Sequence, residues 1–84
     1  MAIFEGWTFA AARGASHRTL FQIAEASKIG PGVLEDIEHA RDIDLTDNRF
    51  DTAAIERVVD TYGVLGFRVI PRTLFQAACL KRVQ

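Results

Sequence analysis

The stretch Gln22-Ile23-Ala24-Glu25-Ala26-Ser27-Lys28-Ile29, running into Gly30-Pro31-Gly32-Val33-Leu34-Glu35-Asp36-Ile37-Glu38, constrains the fold more than any other part of the chain. It reads as two short helices separated by a tight turn. Ile23 and Ala24 face inward from the first helix, and Ile29 plugs the turn. Leu34 and Ile37, three apart, pack the second helix back against the first. The outer face of that second helix is then left on the surface. It carries Pro31, Gly32, Glu35 and Asp36 and no basic residue.

The rest of the chain supplies the frame. Residues 1–7 form a short apolar lead-in ending at Gly6-Trp7. Thr8 caps a helix over 9–16, with Phe9 and Ala12 on its buried stripe. Thr19 caps the helix over 20–26, and Ser27 to Gly30 form the turn. Pro31 suits the first position of the next helix, which runs to about Ala40, because its missing N–H has no helical partner there. Residues 41–50 read as a loop pinned by Ile43, Leu45 and Phe50. Asp51 or Thr52 caps a helix over 52–62 with the stripe Ile55, Val58, Val59 and Tyr62, and Gly63 ends it. In Leu65-Gly66-Phe67-Arg68-Val69-Ile70, apolar residues alternate as in a strand, which Pro71 stops. A lone strand in a helical chain needs a partner. The same strand of a second chain is the natural one, which predicts a dimer through Leu65, Phe67 and Val69. Thr73 to Val83 reads as a last helix or a frayed tail. Arg18-Thr19-Leu20-Phe21-Gln22-Ile23-Ala24 recurs as Arg72-Thr73-Leu74-Phe75-Gln76-Ala77-Ala78, identical at six of seven positions. Both copies read as a capped helix start.

Bulk properties exclude several classes. Eighty-four residues make one small domain, 1–84, with a thin core. Apolar residues are 49% and charged residues 25%, a globular composition. The net charge of −1 argues mildly against a dedicated nucleic-acid binder, although a local basic patch is what docks. Cys79 is the only cysteine, which excludes an internal disulfide, argues against a zinc site and fits a reducing cytosol. No apolar run is long enough to span a membrane, and the start lacks the basic region of a signal peptide, so a cytoplasmic location is expected. His17 and His39 have no metal-site spacing, and Gly30-Pro31-Gly32 lacks the lysine and preceding strand of a phosphate loop. Glu35, Asp36 and Glu38 read as a solvated face. No nucleophile and base are positioned together, so a non-enzyme without cofactor or metal is expected.

The region from Phe9 to Val64 resembles the cro/C1-type (XRE-like) helix-turn-helix family of phage and bacterial transcriptional regulators. The features that carry the resemblance are Arg13 inside the first helix, Thr19 at the start of the second, Ile23-Ala24-Glu25, the plug Ile29, and Leu34 to Asp36 through Ile37-Glu38. They keep one register without a gap. The ending Ala54-Ile55 to Tyr62-Gly63-Val64, then Phe67 to Pro71, is similar to small proteobacterial and antitoxin-type members that finish in a helix, a glycine and a strand. The resemblance implies a mainly α fold. Its expected parts are four to five short helices with a lambda-repressor-like helix-turn-helix core over 9–64, and a strand and tail over 65–84 that dimerise. It further implies a repressor or antitoxin-like regulator that docks helix 31–40 in the major groove of a palindromic double-stranded operator.

On that reading Arg18, Thr19, Lys28 and Arg41 hold phosphates. Val33 touches a thymine methyl, Asp36 accepts from cytosine N4, and the backbone approaches at Gly32. Arg13 pairs with Glu38 to fix helix packing. The chain departs from the family in a longer loop after Glu38 and in placing Pro31, Gly32 and Asp36 where members carry base-reading Gln, Arg, Ser or Asn. The alternative expectation is a helix-turn-helix-derived module that has lost base readout and binds a regulator or toxin partner. It is suggested by the acidic third helix and by Phe67, Leu74 and Phe75 in the tail. Salt separates the two, because phosphate-driven binding weakens steeply with it.

Overall fold

In the computed structural model, which describes residues 2–46 and 49–83, the chain order is β1 (Ile3–Phe4), α1 (Gly6–Ala15), α2 (Leu20–Ser27), α3 (Pro31–His39), β2 (Ile43–Asp44), α4 (Thr52–Val64), β3 (Phe67–Ile70) and β4 (Cys79–Arg82). Local signals account for three of the four helices. Thr19 opens α2 with a full capping box: its hydroxyl accepts from the Gln22 N–H, and Gln22 Oε1 accepts from the Thr19 N–H. Gly30 is the extended N-cap of α3, and Pro31 takes the first helical position. The Asp51 carboxylate accepts from Ala53 N–H at the start of α4.

The apolar stripes meet in one core. Phe9, Ala12, Ile23, Ala24, Leu34, Ile37, Ile43, Ile55, Val58 and Tyr62 are all buried, and Phe67 and Val69 join them from β3. Each of the larger side chains contributes roughly 1.5–3 kcal/mol by leaving water. Ile29, Leu45 and Phe50 pack against the core half-buried, the pinning roles expected of them. Asp47 and Asn48 of the predicted 41–50 loop lie outside the described residues. No described helix is long and apolar enough to cross a membrane.

Four expectations are corrected. The first helix begins at Gly6, not after a Thr8 cap. Its N-cap is Glu5, and Thr8 is buried, its hydroxyl donating to the Glu5 carbonyl at 2.6 Å. Gly6 explains the earlier start. Its N–H donates to the Ala40 carbonyl at 2.9 Å, and a Cβ there would run into the carbonyl oxygens of Ala40, Ile37 and Glu38. Only glycine lets the start of α1 sit against the end of α3. Second, α4 passes through Gly63 to Val64, and the glycine that turns the chain into β3 is Gly66, at φ 94.

Third, residues 73–83 do not form a helix. They finish a loop and enter β4. Fourth, the strand predicted over 65–70 is not left without a partner in its own chain. β4 pairs antiparallel with β3 in the register Phe67↔Arg82, Arg68↔Lys81, Val69↔Leu80 and Ile70↔Cys79. The dimer expected through this strand loses its premise, because Phe67 and Val69 are buried in the chain's own core and Leu65 is half-buried against it. A small second sheet pairs Ile3 with Asp44 and Phe4 with Ile43. Ile3 and Arg72 exchange two backbone hydrogen bonds, of 2.9 and 2.7 Å, tying the base of the hairpin to the lead-in.

Candidate nucleic-acid interface

α3 is held by its inner face and by its C-terminal end. Leu34 and Ile37 are fully buried. Arg13 reaches across from α1 and donates to both Glu38 oxygens, Nε to Oε2 at 2.8 Å and Nη2 to Oε1 at 3.0 Å. The Glu38 side chain is only 5% exposed, so this bidentate pair is largely shielded from solvent. Glu38 holds the Arg13 guanidinium above its ordinary pKa, against the smaller effect of burial. The Tyr62 hydroxyl is buried and has no hydrogen-bond partner among the described residues. Burial raises its pKa, the Glu38 charge adds to the rise, and Arg13 opposes it.

The outer face of α3 is free. Pro31, Gly32, Val33, Glu35 and Asp36 are all exposed. Gly32 has open space where a Cβ would stand, so its own fold does not demand glycine. Gly32, Val33 and Asp36 share one side of the helix by their spacing.

The expected phosphate contacts divide among three places, the two ends of α2 and a separate cleft. Lys28 closes α2 in the left-handed conformation, at φ 58, immediately before α3. Its surroundings are Ala26, Ser27, Arg57, Asp60, Thr61 and Val64, around a groove of about 290 Å³. Arg18 stands at the other end of α2, where Nη1 donates to the Ser16 carbonyl at 3.1 Å. The Thr19 hydroxyl is already committed to the helix cap. Arg41 lies elsewhere, in a cleft of about 650 Å³ lined also by Glu5, Trp7, His39, Asp42 and Arg72. Arg72 is neutralised there, bridging Glu5 at 3.1 Å and Asp42 at 3.3 Å.

Two residues of α4 that sequence reasoning passed over fix the turn before α3. Arg57 Nε donates to the Ser27 carbonyl at 3.0 Å, and the Thr61 and buried Ser27 hydroxyls are 2.8 Å apart. Arg57 and Thr61 are four apart, on one side of α4. That spacing was visible in the sequence, but nothing local said which helix the side would face.

No protein-family model, curated protein or solved structure matches this chain.

Proposed function

We propose that the chain is a small helix-turn-helix DNA-binding regulator that lays α3 in the major groove. The observation that carries this reading is Lys28. A side chain in the left-handed region costs about 1 kcal/mol relative to glycine. Lys28 holds that conformation with its ammonium exposed and without a carboxylate partner among the described residues. The left-handed residue closes α2, and a lysine rather than a glycine at that cap, beside α3, supports a phosphate contact there. The Arg13–Glu38 pair adds support, because a helix that reads base edges must be held rigidly. On this reading Arg18 and Lys28 position the chain, and Val33 and Asp36 meet bases.

Selection from randomised duplexes at about 50 and 200 mM salt tests it. An enriched site with salt-sensitive binding is expected. Lys28→Gly should weaken binding to all sequences while raising stability by up to about 1 kcal/mol. Asp36→Ala should change preference at one base position. Absence of binding at low salt overturns the reading. A palindromic site would require two chains whose contact lies away from Phe67 and Val69, and a single half-site would mean that one chain suffices.

A second reading is favoured by Glu35 and Asp36, which stand exposed on the outer face of α3, a helix that carries no lysine or arginine. Such a face suits a basic protein partner. Binding to it would leave the duplex selection empty.

A further inference from the structure

Charge is distributed very unevenly along this chain. All eleven carboxylate side chains lie within residues 1–60, alongside six of the ten cations. Residues 61–84 hold Arg68, Arg72, Lys81 and Arg82 and no acid. The near-neutral total therefore conceals an acidic helical body and a basic β3–β4 hairpin.

Two of the hairpin's four cations, Arg68 and Lys81, have no ion-pair partner among the described residues, whereas Arg72 is salt-bridged and Arg82 lies over Phe67. Arg68 and Lys81 are directly opposed across the ladder, and both are exposed. Like charges so placed repel and weaken the strand pair. No carboxylate forms an ion pair with either among the described residues. Asp60, which shares a groove with Arg68, is not within pairing distance. Arg82 stands on the other face of the ladder, opposite Phe67, its guanidinium 5.2 Å from that ring.

Beyond the strands the loop presents Leu74 and Phe75, 91% and 96% exposed. The loop is built to hold them there. Thr73 N–H donates to the Gln76 carbonyl at 2.8 Å, and Phe75 N–H donates to the Thr73 hydroxyl at 3.2 Å. At its base the Ile3–Arg72 bonds and buried Ala78 anchor it.

We propose that the β3–β4 hairpin is a second DNA-contacting element, with Arg68 and Lys81 on backbone phosphates and Leu74-Phe75 inserted as an apolar wedge in the minor groove. The proposal rests on the DNA reading of the previous subsection and supplies the positive charge that α3 lacks. Unpaired cations on the strands and an apolar tip on the loop they carry match a duplex, in which phosphates flank a groove and one unstacked base step accepts one or two apolar side chains. A lipid surface is the weaker match. Two side chains bury less than the single acyl chain that by itself holds a protein only marginally.

Anisotropy titrations of a labelled mixed-sequence duplex, at salts from about 50 to 200 mM, test the hairpin separately from α3. The double variant Arg68→Gln/Lys81→Gln should reduce the log–log salt slope by about 1.8, or 0.9 per lost phosphate contact. Its thermal midpoint should stay level or rise as the like-charge repulsion is removed. Leu74→Ala/Phe75→Ala should weaken binding about ten-fold with the slope unchanged, since an apolar wedge displaces no counterions. Arg68→Lys should keep the wild-type slope. If the chain binds duplex but both double variants match wild type while Lys28→Ala weakens binding, the hairpin assignment falls and the DNA reading stands. If wild type binds no duplex at about 50 mM salt, both fall. Binding to phosphatidylserine vesicles in that case would give the cations to a membrane.

Discussion

Arg18-Thr19-Leu20-Phe21-Gln22-Ile23-Ala24 and Arg72-Thr73-Leu74-Phe75-Gln76-Ala77-Ala78 differ at one position in seven, yet they do not share a fold. The first is the opening of α2. The second is a loop that feeds β4. Both contain the threonine and glutamine of a capping box, and only the first forms it. At Thr73 the hydroxyl accepts from the second residue on, and the main-chain oxygen of Gln76 takes the bond that the Gln22 side chain takes in the first copy. A cap signal permits a helix, and burial decides whether one forms. Ile23 and Ala24 put the first copy's inner face into the core at 1% exposure each. In the second copy Ala77 is exposed where Ile23 is buried, and only Ala78 goes in. Pro71, just before the second copy, also biases Ile70 to extended backbone, which suits a strand end.

The most damaging way to erase the difference is Ile23→Ala, which makes the sixth position of both copies alanine. Removing a fully buried isoleucine should cost about 3 kcal/mol, read as a lower urea midpoint at unchanged slope. If the loss is below about 1 kcal/mol, burial at this position is not what distinguishes the copies. A smaller effect separates the two threonines. Thr19→Ala should cost about 1 kcal/mol through the lost cap. Thr73→Ala should cost less than about 0.5 kcal/mol, because its bond lies in an exposed loop. The smallest effect belongs to the reverse exchange. Ala77→Ile, at an exposed site, should change stability by no more than about 0.5 kcal/mol and leave the hairpin intact. A rise in helical circular dichroism in that variant would mean that one side chain, without the core around it, can convert the second copy.

The same contrast explains what was legible in the sequence. The spans of α2 and α3 and the start of α4 follow from Thr19, Pro31 and Asp51 and from apolar stripes within a few residues of them, all local signals. The mainly helical body with a strand after α4 was readable for that reason. What was missed depends on distant partners. α1 starts at Gly6 because of a carbonyl at Ala40, and β1 exists because of Ile43 and Asp44. The segment leading into β4 carries the same residues as the start of α2, so local reading could not tell it from a helix. In the candidate interface, Lys28 was visible as a residue of the turn but not as one held at φ 58. The clamp of Arg57 on Ser27, and the removal of Arg41 to a separate cleft, were not written in any short segment. The uneven distribution of charge was there to be counted, but its meaning depended on β3 and β4 being partners.

The buried hydroxyl of Tyr62, without a hydrogen-bond partner among the described residues, has a consequence of another kind, an alkaline limit on the fold. The folded chain holds this phenol neutral, with a pKa above the value of about 10 that it has when unfolded. Below pH 10 both states keep the proton, and the preference has no effect on stability. Above it the unfolded chain releases a proton that the folded chain retains, so stability declines as pH rises further. Tyr62→Phe removes both that proton and an oxygen that bonds to none of the described residues. Its urea midpoint near pH 7 should equal or exceed that of wild type, and the decline above pH 10 should become shallower.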